Sequence, residues 1–240
     1  SRKAPLVIVR PVQRGACPID KGVPIVFSTY QEARPYLINC IGSYCSYCGM
    51  RLDASLAVEH VQPKSSRPAL RLRWENFLLA CTNCNSVKKD KRVGIRTVFW
   101  PDRDNTQRAF RYGPGGLIEV NPTLSTAERR RAQATMDLVG LDRTPDARPN
   151  ASDRRWLSRQ RAWERARDAR RRLLIPRNNT PHFRSQIIDT AKEAGFWPIW
   201  FTVFEGNRDM TRRLIRAFPG TATDCFDSQL NLVVRPGGLL

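Results

Sequence analysis

The spacing of hydrophobic residues changes character near residue 125. Before it, apolar positions come in short runs broken by turn residues; after it, they recur at helical intervals. The run "LVIVRPV" (6–12) reads as a short strand. In "FSTYQEARPYLINCIG" the spacing predicts a helix, with Thr29 and Glu32 as a capping box, Pro35 kinking or restarting it and Gly42 ending it. "LDASLAVEH" and "RLRWENFLLAC" have strand composition, and "TNCNSVKKDK" has the look of a helix start. Residues 93–122 are irregular, with "WPDRDN" and "YGPGG" marking turns and leaving room for a hairpin.

Beyond that point Ser125 and Glu128 predict a second capping box, and Gly140 stands where a helix-ending left-handed residue belongs. A linker, "RTPDARPNAS" (143–152), separates this helix from a long Arg-rich one over 153–175. There Trp156, Gln160, Trp163, Ala166 and Leu173 share one face and the arginines take the others. Thr180 with Pro181 begins a further helix, carrying Phe183, Ile187, Ile188 and Ala191 inward and ending at Gly195. Asn207 caps a last one bearing Met210, Leu214 and Phe218. "FWPIWFTVF" is too short and too apolar to assign by period.

Charge narrows the function. The 41 Lys and Arg against 22 Asp and Glu leave +19, divided as +10 over residues 1–120 (19 basic, 9 acidic) and +9 over 121–240 (22 basic, 13 acidic). The excess is spread over the fold rather than held in a tail, which points to a polyanionic partner. Arginine outnumbers lysine 34 to 7, favouring bidentate phosphate contacts. No apolar run reaches the roughly 18–20 residues of a membrane span, and the apolar stretch near the start is too short for a secretory signal.

Seven cysteines suit no disulfide framework, but four of them form two C-x-x-C pairs, Cys45/Cys48 and Cys81/Cys84. Four thiolates close a tetrahedral Zn²⁺ with no open position, so such a site is structural and implies a reducing, cytoplasmic setting. The 32 residues between the pairs exceed the 15–20 of a simple zinc ribbon, so the insert should carry function. Cys17, Cys40 and Cys225 read as ordinary buried thiols, and His182 as a surface or capping residue.

The insert contains "EHVQPK" and "WENFLLACTNCNSVK". C-x-x-C, then E-H-x-x-P, then Asn, then C-x-x-C-N and a lysine resembles the HNH nuclease family over residues 42–91, with Asn as the last letter. The resemblance implies an α+β chain: a small zinc-stapled ββα-metal core with an appended, mainly helical C-terminal region. The expected division is a strand and helix segment at 1–41, the nuclease core and following loops at 42–122, and a basic helical region at 123–240 for partner or nucleic-acid contact. It also implies that His60 is the general base, Glu59 and Asn85 ligate a catalytic Mg²⁺ or Mn²⁺, Asn76 holds the loop and the base, and Lys88 contacts phosphate. Lys64, Lys89 and Lys91 are further candidates for nucleic-acid contact. Because neighbouring strand residues point to opposite faces, the strand must end at Glu59–His60 for both to reach one site.

The reading is thus a metal-dependent endonuclease acting on nucleic acid, most naturally DNA. In length and layout the chain also resembles HNH effectors of bacterial antiphage systems of the Septu and retron-associated type, which implies an ATPase partner of SMC or ABC type. The competing reading is a zinc-stabilised nucleic-acid-binding module without activity.

Overall fold

A computed structural model of the chain describes residues 9–144 and 153–240. It is α+β, with three separate two-stranded antiparallel sheets and seven α-helices among the described residues. Only residues 9–12 of the expected first strand are described; they form no strand beyond a bridge from Val12 to Thr221. The linker lies outside the described residues from position 145 onward.

A short ribbon pairs β1 (Ile19–Asp20) with β2 (Val23–Pro24). A turn of 3₁₀ helix then opens at Thr29, whose N–H donates to Glu32 at 3.2 Å, and runs into α1 (Arg34–Ile41). Pro35 sits in the first turn of α1, where its missing N–H is harmless, so it starts the helix rather than kinking it. The first cysteine pair follows in a knuckle closed by a bridge between Tyr44 and Arg51.

The central unit pairs β3 (Ala57–His60) with β4 (Phe77–Ala80) and continues into α2 (Thr82–Lys88). A hairpin of β5 (Phe110–Tyr112) and β6 (Ile118–Val120) precedes α3 (Thr126–Val139), which has the Ser125/Glu128 box at one end and left-handed Gly140 at the other. The rest is helical: α4 (Arg155–Leu173), α5 (Pro181–Ala194), α6 (Trp197–Val203) and α7 (Arg208–Ala217). The unassigned apolar stretch is therefore a helix, every residue of which is buried.

Apolar packing falls into two clusters. One gathers α1, β3, β4, the cysteines and also α3, so α3 packs with the first part of the chain although it was expected with the C-terminal region. The other gathers α4 to α7 and borrows Tyr44 and Tyr112. They meet where the backbone N–H of Phe196 donates to Gly49 O at 2.7 Å. Gly195, at φ +68°, lies so close that an added Cβ would sit 2.7 Å from Arg51 N and 2.9 Å from Gly49 O. Only glycine fits there.

Candidate active site

The second knuckle is built on the end of β4 and the first turn of α2. Cys81 is the N-cap, its sulfur accepting from Cys84 N at 3.4 Å. Cys45, Cys48, Cys81 and Cys84 are all buried, with sulfurs within 4.8 Å of one another. The Cys48 and Cys81 sulfurs are 3.8 Å apart. A tetrahedron with metal–sulfur bonds of about 2.3 Å has edges of about 3.8 Å, so this donor set fits a closed metal site. The site joins the two ends of the segment that holds the chemistry.

That segment pairs His60 with Phe77 and Glu59 with Leu78. The two adjacent side chains leave opposite faces of β3, but the strand stops at His60, and both line one open cleft of about 420 Å³ together with Asn85. The imidazole of His60, only 8% exposed, sits edge-on against Phe77 and against Tyr30, with ring centroids 5.3 and 4.9 Å away. Its Nε2 is 2.9 Å from the carbonyl oxygen of Arg71. A carbonyl only accepts, so Nε2 carries the proton and Nδ1 keeps its lone pair. Burial pushes the imidazole below its ordinary pKa; the Arg71 carbonyl opposes this, while Lys64 and Lys88 add to it. A lowered pKa favours the neutral ring at pH 7, the form that can accept a proton.

Asn76 fixes the loop that supplies that carbonyl. Its Oδ1 accepts from Gln62 N at 2.8 Å, and its Nδ2 donates to Gln62 O at 2.9 Å and Leu70 O at 3.2 Å. The two ends of the loop, at 62 and 70, are tied to one buried amide, and Arg71 follows directly.

Residues 45–91 match the HNH endonuclease family. A stretch of 62 residues is 37% identical to the Septu protein PtuB of Bacillus thuringiensis, covering 23% of this chain and 24% of that protein. The match thus spans about a quarter of either.

Within the HNH segment, Glu59 and Asn85 offer hard oxygens to the same cleft, the donor type that Mg²⁺ and Mn²⁺ take. Glu59 is 4% exposed and pairs with Lys88 through Oε1. Burial raises its pKa, and the Lys88 charge opposes that rise. Lys88 corrects an expectation. Instead of reaching for phosphate it is fully buried between Glu59 and the His60 carbonyl, to which it donates at 2.7 Å. An ammonium stripped of water must keep such partners, so it has no surface left for a phosphate. Lys64 and Lys89 line the cleft, whereas exposed Lys91 does not.

Two contributors escaped sequence reasoning. Tyr30 lies outside the HNH segment yet packs on His60 and carries the Lys64 ammonium 4.5 Å from its ring centroid. Its only sequence signal was its place directly behind the Thr29 cap. Arg155, from α4, is 1% exposed and donates to the Cys84 sulfur at 3.1 Å. It reads in the sequence as one more surface arginine.

Proposed function

We propose that this chain is a metal-dependent endonuclease that hydrolyses phosphodiester bonds in DNA, and that it is the effector nuclease of a bacterial antiphage system. The observation that supports this best is that Glu59, His60 and Asn85 line one open cleft, with the His60 ring anchored through Nε2. His60 takes the proton from the attacking water, and Arg71 and Asn76 hold its ring and tautomer. Glu59 and Asn85 hold the cation. A divalent ion bound there supplies charge neutralisation at the scissile phosphate and the departing 3′ oxygen, leaving 5′-phosphate and 3′-hydroxyl ends. Lys64 and Lys89 at the cleft rim steer the backbone.

The four cysteines hold Zn²⁺, and their paired C-x-x-C spacing, the arrangement of a thiolate metal site, supports a reducing, cytoplasmic setting. No helix among the described residues is long and apolar enough to cross a membrane. The similarity to a Septu protein supports the defence role and, with it, an ATPase partner of SMC or ABC type that meets the helical region.

The burial of Lys88 against Glu59 favours a second reading, in which the carboxylate is already neutralised and the chain binds DNA without cutting it. Plasmid cleavage by the full chain with Mg²⁺ or Mn²⁺, alone and with the partner ATPase, separates the two. Nuclease action requires a drop of about 10²–10⁴-fold in His60→Ala at unchanged cysteine-bound metal. Binding without cleavage under every condition supports the module, and full cleavage by the variant overturns the assignment of the base.

A further inference from the structure

The cysteine centre is not enclosed by the HNH segment alone. Arg155 is the first residue of α4, and its guanidinium makes five hydrogen bonds, matching its five N–H groups. Nε donates to Asp153 Oδ1 at 2.9 Å, and Nη2 donates to Asp153 Oδ2 and Gly140 O, both at 2.6 Å. Nη1 donates to Val139 O and to the Cys84 sulfur, both at 3.1 Å. Asp153 also accepts from Asn83, which stands on α2 between the two cysteines of the second knuckle, at 3.4 Å. One buried side chain thus ties the start of α4 to the end of α3 and to a metal-ligating sulfur.

Charge explains why an arginine is placed there. Four thiolates around a divalent cation carry a net charge of −2, which a buried site must offset. Asp153 is shared between Arg155 and Arg143, whose Nη1 lies 4.0 Å from its Oδ2, so the three together keep a net positive charge. One turn on, Arg159 is 1% exposed and donates Nε to Gly116 O at 3.0 Å, but among the described residues its Nη1 and Nη2 have no hydrogen-bond partner. A second buried guanidinium with no carboxylate of its own is costly unless an anionic centre lies nearby. A neutral thiol is a poor acceptor; a metal-bound thiolate is a strong one, and a charged donor roughly doubles the strength of the bond.

Resting on the metal reading above, we propose that Arg155, backed by Arg159, is the cationic counterpart of the loaded cysteine centre. Metal binding and docking of α4 then stabilise each other. The centre reports to the helical region whether it is loaded, and metal loss loosens the first turns of α4 before it disturbs α5 to α7.

The test uses the full chain. Metal analysis comes first: a wild-type chain without metal at its cysteines overturns the metal reading itself. With metal present, Arg155→Gln is expected to release it to a competing chelator about 10–100-fold more readily, the usual scale for groups that support metal ligands. In the Co²⁺-substituted chain, the thiolate-to-metal absorption band is expected to move to lower energy, since the thiolate loses a charged donor. Leu214→Ala, which removes a buried side chain from α7 rather than from α4, should leave both readings unchanged. Wild-type affinity and an unmoved band in Arg155→Gln, or equal metal loss in Leu214→Ala, overturn the proposal. Should Arg155→Gln not fold, amide exchange of the wild-type chain decides. Chelation must expose residues 155–163 ahead of 197–217, and simultaneous exposure overturns the coupling.

Discussion

The HNH segment and the helical region solve the same folding problem by opposite means. In the first, two four-residue strands and a seven-residue helix are too small to bury much apolar surface. They share an apolar cluster with α1 and α3, and are held beyond that by polar fastenings: the cysteine cluster, the amide of Asn76 and the buried Lys88–Glu59 pair. In the second, Trp197, Trp200, Phe204 and Leu214 are at most 1% exposed, and both indole N–H groups are satisfied by carbonyls of the same region, those of Leu214 and Gly195. An open cleft lined by an imidazole and polar side chains cannot fill itself with hydrocarbon. Its order has to come from directional bonds.

The sharpest way to break the comparison is to remove metal. Chelation, or Cys84→Ser, should unfold residues 45–91, because structural zinc contributes on the order of 10 kcal/mol in small domains. Most of the far-ultraviolet helical signal should survive. Loss of all helicity at the same chelator concentration would mean that the two regions are one cooperative unit.

A matched pair of substitutions comes next. Lys88→Met strands a buried carboxylate and Trp200→Ala opens a cavity, and each should lower stability in urea by about 3–5 kcal/mol. Only the first is repairable: adding Glu59→Gln to Lys88→Met should recover most of the loss, since replacing both partners avoids the uncompensated charge. A smaller cost is expected for Asn76→Ala, about 1–3 kcal/mol from the buried groups it leaves unpaired. Its cleavage rate should fall further than its stability, because the loop no longer fixes the Arg71 carbonyl against His60.

The smallest effect belongs to neither region. At the start of α3, the Ser125 hydroxyl and backbone N–H hold the Glu128 carboxyl below its ordinary value of 4.5. A depressed folded-state pKa stabilises above that ordinary value and is lost as pH falls through the folded one. Ser125→Ala should therefore cost about 1 kcal/mol at neutral pH. The gap to wild type should narrow in melts taken below pH 4.5.

What was legible in the sequence follows the same divide. Helix ends were readable because caps are local: Ser125, Thr180 and Asn207 each accept from the N–H three residues on, whatever packs nearby. The paired cysteine spacing gave away the cluster for the same reason. The buried face of α4 was not readable. Period placed Trp156 and Gln160 inward and the arginines outward, whereas both of those are half-buried and Arg155 and Arg159 are buried. A hydrophobic pattern counts arginine as polar and cannot see acceptors supplied by Val139, Gly140 and Cys84. Lys88 was misplaced by the same blindness, since its partner Glu59 lies 29 positions away.

Where the first knuckle meets the α5–α6 corner, main chain rests on main chain with nothing in between. Any side chain introduced at position 195 would push on Arg51 and Gly49, and through them on the turn that carries Cys48. Damage to a helical corner would then register first as a cysteine centre unable to retain its ion, in a part of the chain that shares no sequence with it.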